Sequence, residues 1–276
     1  MSPSPPSWWT PCRIAVGEAR RWTIGPATVV AERRAREWRV TSWTGDDPLD
    51  GTLEIATRVE PAQAAQAARA GAPAAATRRF AFDAAPASLA LEPRLADRDV
   101  VVRPADPLTI PAGETTLLYV STPLWFSVAT AGPRHVLFEA PFFRPSDTWF
   151  GPSTVEGELC YASRTTGRLE LAELPVRPHR AITPVRIRNR AKEPLALERL
   201  KLPVGILPLL AGPRGLWTPQ IVLTSGEGAD RADIEVRPGA PAEAGTAVPV
   251  AEPRRRPDAT LSLRTFGRWL RLGAAP

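Results

Sequence analysis

Short runs of alternating apolar and polar residues, each cut off by proline, glycine or aspartate, constrain this chain more than any other feature. Leu53, Ile55, Thr57 and Val59 keep a period of two, as do Phe80 with Phe82 and Leu89 with Leu91, and Val100, Val101 and Val102 form another short apolar run. A period of two places successive side chains on opposite faces of a pleated strand, whereas a helix face needs 3.6. Proline makes up 32 of the 276 residues. Each one removes a backbone donor, which strand ends and turns tolerate and helix interiors do not. No ten-residue stretch carries a helical period. The pattern predicts an all-β fold of antiparallel β-sandwiches, in two packed sandwich-like halves. The turn Pro111-Ala-Gly113 before an apolar strand gives the second half immunoglobulin-like features.

Taken in order, residues 1–20 read as a disordered or loosely packed N-terminus and 21–106 as a first β-rich half. Residues 107–238 form the second half, 239–257 a loop or linker, and 258–276 a closing strand or short helix. Residues 27–33 and 37–43 form a hairpin around Arg34-Ala35-Arg36. Residues 60–77 have the helix propensity of alanine but almost no large apolar side chain to anchor a helix, so they predict a mobile loop. Leu169 and Leu171 mark a strand. Val185 and Ile187 predict a second hairpin returning through Leu195 and Leu197, and the phase slip at Glu198-Arg199 predicts a β-bulge.

Charge narrows the function classes less than its size implies. The net charge is +6 and the sequence pI about 10.2, but Lys192 and Lys201 are the only lysines, and arginine, alanine and proline are inflated together along the whole chain. A nucleic-acid footprint concentrates charge in a patch, so nucleic acid is not the expected partner. The cysteines, Cys12 and Cys160, match no metal or redox spacing. Two histidines, His135 and His179, fall in no metal-binding or catalytic motif, and no nucleophile elbow or phosphate loop is present, so no metal and no cofactor are expected. The N-terminus lacks a charged segment followed by an apolar core, and the most apolar run, residues 202–211, is about half of the ~20 residues that span a bilayer. These readings place the protein in the cytoplasm with no transmembrane segment.

Aromatics and punctuating prolines are densest at residues 121–161, which also hold Glu139, Arg144, Asp147, Glu156 and Glu158. Trp125, Arg144, Asp147, Trp149, Glu156 and Glu158 are the candidate residues for binding a protein or small ligand. Each has a second reading. Trp125 and Trp149 serve either as an interface anchor in loops or as the seal of a sandwich end. Glu156 and Glu158, two apart, share a face if both lie on a strand. There they either pair with Arg144 and Arg164 or act as the acid and base of a carbohydrate-active site, with the tryptophans as sugar platforms. Arg254, Arg255 and Arg256, with Arg268, form the best basic cluster, either a solvated tail or a contact for an anionic membrane surface.

The strings Trp22-Thr-Ile-Gly-Pro26, Glu37-Trp38, Ser121-Thr-Pro-Leu-Trp125, Asp147-Thr-Trp-Phe-Gly-Pro152, Glu156-Gly-Glu-Leu-Cys-Tyr161 and Leu216-Trp217 resemble an uncharacterised prokaryotic family, the domain of unknown function numbered 432. The resemblance covers most of residues 20–225 and implies a stand-alone bacterial cytoplasmic protein. It brings no activity, substrate or residue role with it.

Overall fold

A computed structural model describes residues 7–59, 75–151, 153, 155–225, 231–256, 261–264 and 266–267. Most of the expected loop at 60–77 lies outside the described residues, as do the ends of the N- and C-terminal segments. The described residues form β-strands and three short 3-10 turns, with no α-helix, and most sheet pairings are antiparallel. The fold is all-β.

Contacts divide the chain into two compact units. One comprises Met1–Arg94, Leu124–Arg144 and Arg177–His179; the other comprises Leu95–Pro123, Pro145–Val176 and Arg180–Pro276. The strand Thr115–Ala131 gives residues 115–123 to the second unit and 124–131 to the first.

In the first unit a five-stranded antiparallel sheet runs in the spatial order Leu53–Val59, Ala19–Ile24, Ala27–Arg33, Glu37–Thr44, Ala76–Ala81. The hairpin expected around Arg34-Ala35-Arg36 is there, with Arg33 opposite Trp38. One face carries Trp22, Ile24, Val29, Ala31, Trp38 and Val40, all buried. This is the outcome of the period of two in residues 37–44, where buried Trp38 and Val40 alternate with more exposed neighbours. The core also holds an aromatic group, in which Phe126 and Trp8 meet Phe142 at 5.1 and 5.3 Å, and at its margin half-buried Phe80 stacks on Phe138 with centroids 6.1 Å apart. Gly25 turns the first hairpin at φ +54, and a Cβ there would overlap the ring of buried His179, so both the backbone angle and the close approach require glycine.

The second unit holds two main sheets. One has the order Ser146–Phe150, Glu158–Gly167, Val100–Pro104, Arg199–Leu202, Phe266–Gly267, with one parallel pair, between Glu158–Gly167 and Val100–Pro104. In the other, Thr115–Pro123 lies antiparallel to Arg180–Asn189, which in turn runs parallel to both Gly215–Trp217 and Ile221–Ser225. At Gly167 a Cβ would come within 2.8 Å of the Leu118 side chain, so these two strands approach to the limit that glycine allows.

Several local expectations give way. The strand Leu195–Leu197 does not return along Arg180–Asn189 but pairs with Leu108–Ile110, while Arg199–Leu202 pairs with Val100–Pro104. The phase slip at Glu198 is therefore the point at which the chain leaves one sheet for another, rather than a bulge within one. Buried Asn189 is the reason the turn can diverge. Its side-chain amide donates to the carbonyls of Ile110, Pro111 and Glu193, and its oxygen accepts from Ala191 N and Ser225 Oγ. Leu171–Glu173 is a 3-10 turn where a strand was expected, and Val248–Ala251 is a strand inside the expected linker. Leu261–Arg264 and Phe266–Gly267 make the expected closing segment strand.

Candidate functional site

The hairpin made by Ser146–Phe150 and Glu158–Ala162 sits at the edge of its sheet, with Asp147 opposite Tyr161, Trp149 opposite Leu159 and Phe150 opposite Glu158. Its connection is closed by side chains. Ser153 Oγ accepts from Val155 N and Glu156 N at 3.3 and 3.0 Å, and Trp149 Nε1 donates to Ser153 O at 2.7 Å. A Cβ at Gly151 would overlap the carbonyl of Glu156, and one at Gly157 would lie 2.7 Å from Trp149 Nε1 and 2.8 Å from Phe150 O. Glycine at both positions lets the turn fold onto the indole and hold it in place.

Because partners across the hairpin share a face, Asp147, Trp149, Leu159 and Tyr161 project together, and Thr148, Phe150, Glu158 and Cys160 project to the other side. On the first side Tyr161 is buried, donates its hydroxyl to Asp97 at 3.1 Å and lies under the Arg98 guanidinium, which also pairs with Asp147 at 3.3 Å. Further out on the same side, Trp149 and Leu159 remain 41% and 49% exposed, and Val155 in the connection stands out in solvent.

The other side is buried and charged. Phe150, Cys160 and Val101 form a small core cluster. Lys201, 1% exposed, stretches past it and places Nζ 2.8 Å from Glu158 Oε2 and 3.8 Å from Asp99 Oδ2, while Arg255 holds Asp99 Oδ1 at 3.2 Å. The Phe150 ring has Arg199 and Lys201 over it at 5.3 and 5.9 Å. Burial raises the Asp99 carboxyl above its ordinary value, against the pull of Lys201 and Arg255. Burial also pushes the Cys160 thiol up to about 12, helped by the nearby Asp99 charge, so it is a thiol and not a nucleophilic thiolate near neutral pH.

The six residues expected from sequence divide between the units. Asp147, Trp149, Glu156 and Glu158 belong to the hairpin. Trp125 is buried within the strand Thr115–Ala131, opposite Pro141, and Arg144 is exposed beyond Val136–Pro141, both in the first unit. Trp125 and Trp149 are thus strand residues and not loop residues. Glu156 precedes the strand that Glu158 opens, so the spacing rule for two carboxylates on one strand does not apply to them, and Glu158 takes Lys201 as its cation. Sequence reasoning passed over Leu159, Asp99 and Lys201, and read Arg255 as part of a basic cluster and not as the partner of Asp99. Lys201 carried a signal, as one of two lysines in an arginine-rich chain.

In the basic cluster, Arg254 Nε donates to Leu95 O at 2.8 Å and Arg255 pairs with Asp99; Arg268 lies outside the described residues. Among the described residues no group of three His, Cys, Asp or Glu could hold a metal ion, and no helix is long and apolar enough to cross a membrane.

No curated protein and no solved structure matches the chain. One family model does, that of the protein of unknown function DUF432, over residues 8–270. The match is wider than the quoted strings implied and takes in both units, the alanine-rich stretch and the strands after residue 230, so the chain belongs to the DUF432 family over nearly its whole length.

Proposed function

We propose that this chain is a non-enzymatic binding protein that takes an extended segment of another protein along the hairpin Ser146–Ala162. The observation that carries the reading is the exposure of Trp149 and Leu159, face to face, on the side of the hairpin whose inner continuation at Tyr161 is buried. An edge strand offers backbone donors and acceptors to an added strand, and adjacent apolar side chains supply specificity pockets. Trp149 is already fixed by Ser153 and Gly157, so little side-chain freedom is lost on binding. Asp147 on the same side and Glu156 in the connection flank the apolar pair, and favour a segment that carries arginine or lysine beside a large apolar residue.

Peptide display against the wild-type protein tests this. Selected sequences should be extended, basic and apolar, and should bind Trp149→Ala at least ~10-fold more weakly, in keeping with loss of an aromatic anchor. Circular dichroism should show an unchanged fold in that variant. Equal binding to both proteins would remove the hairpin from consideration.

A further inference from the structure

We infer that Lys201 and Asp99 condense into an intramolecular amide that staples two neighbouring strands, with Glu158 carrying the proton. The three groups come from three consecutive strands. Glu158 opens one, Asp99 immediately precedes Val100–Pro104 in the middle, and Lys201 lies on the third, opposite Val101. Lys201 therefore reaches over the end of the middle strand, with Nζ 2.8 Å from Glu158 Oε2 and 3.8 Å from Asp99 Oδ2. Holding an amine and a carboxyl side by side raises their effective concentration far above that of free groups in water, toward about 10⁵–10⁸ M once the amine closes on the carbonyl carbon, and so favours a condensation that bulk water opposes.

The surroundings distinguish the two carboxyls. Asp99 is buried and its carboxyl is displaced toward the protonated form, which is the electrophile, whereas Glu158 is more than half exposed and remains hydrated. Burying an ammonium and a carboxylate side by side is costly, and amide formation removes both charges at once. Nζ gives one proton through Glu158 to Asp99 Oδ2, which leaves a neutral amine beside a carboxylic acid, and the amine lone pair attacks Asp99 Cγ. Arg255 Nη2, 3.2 Å from Oδ1, stabilises the negative charge that develops on that oxygen. The C–N bond forms, Nζ gives up its second proton through Glu158 to Oδ2, the Cγ–Oδ2 bond breaks, and Oδ2 leaves as water. One ammonium and one carboxylate give one amide and one water, with Glu158 back in its starting state and no oxidant or activating group.

Intact mass of the denatured wild-type protein is the test, followed by a tryptic map. The mass should fall below the sequence mass by one water. Trypsin should then fail to cut after Lys201 and release a branched product joining residues 99–134 to residues 200–214. Glu158→Gln, shown to be folded by circular dichroism, should have its full sequence mass, as should Lys201→Arg. A wild-type protein at full sequence mass overturns the inference. So does a water loss that maps elsewhere, such as a succinimide at Asp50-Gly51 or a link from Lys201 to Glu158.

Discussion

On one side of the hairpin, polar groups lie where apolar ones belong; on the other, apolar groups lie where polar ones belong. Lys201 and Asp99 are buried beside Phe150 and Cys160, while Trp149 and Leu159 stand in solvent one residue away along the same strands. These polar groups are tolerated inside because each has a partner within the fold: Glu158 and Asp99 for the lysine, Lys201 and Arg255 for the aspartate. An exposed apolar pair is satisfied only by something outside the unit. One side is therefore closed on itself and the other open, and substitutions should separate the two by their effects on stability and on binding.

The largest separation should appear in thiol chemistry. Cys160, with its thiol at about 12, exposes roughly a thousandfold less thiolate at neutral pH than a free cysteine. Cys12 is also buried, and burial raises it too. Labelling with a disulfide reagent at neutral pH should leave the native protein essentially unmodified and should modify both cysteines in denaturant. Rapid native labelling of Cys160 would show that the inner side opens to water.

Next come the buried charges themselves. Lys201→Ala removes the amide and returns Asp99 to a desolvated carboxyl beside the exposed Arg255, and should lower the unfolding free energy by ~3–5 kcal/mol in a denaturant titration. The double variant Lys201→Met with Asp99→Leu also lacks the amide but strands no carboxyl beside Phe150, so it should recover the part of that loss which the stranded carboxyl causes. If the single and double variants were equally unstable, the lysine would be held by packing rather than by charge.

Gly157 joins the two sides, because a Cβ there would overlap both the Trp149 indole and the Phe150 carbonyl. Gly157→Ala should cost ~1–3 kcal/mol, the usual range for overpacking, and should weaken peptide binding in proportion as Trp149 is displaced. Thermal melts and binding measured on the same sample would show whether the two effects move together.

How much of this was legible in the sequence follows from the range of the forces involved. Period-two alternation is local, so the Ala27–Arg33 and Glu37–Thr44 hairpin and the all-β class could be read directly. Pairing between distant segments is not local. Nothing near Leu195 says that it pairs with Leu108–Ile110, and the loss of phase at Glu198 looks the same whether a strand bulges or changes sheet. At the candidate site, aromatic density located the hairpin. It could not show that Trp149 would be exposed and Trp125 buried, because that depends on which strand lies at the edge. The role of Lys201 was the least legible, since Asp99 and Glu158 lie 102 and 43 residues before it in sequence and are brought to it only by the sheet.

The smallest effect on stability should come from the open side. Leu159 is about half exposed and its neighbours across the hairpin are Trp149 and solvent, so Leu159→Ser should change unfolding free energy by no more than ~0.5 kcal/mol. If the side chain only seals the fold, its loss should be felt in the melt and nowhere else. If Trp149 and Leu159 together form a docking surface, the order reverses: the melt stays in place, while affinity for a selected peptide falls, with the Trp149→Ala and Leu159→Ser losses coupled rather than additive because the two side chains touch the same partner residue. A double-mutant cycle measured by titration decides between these outcomes, and zero coupling with a shifted melt would assign the open side to stability after all.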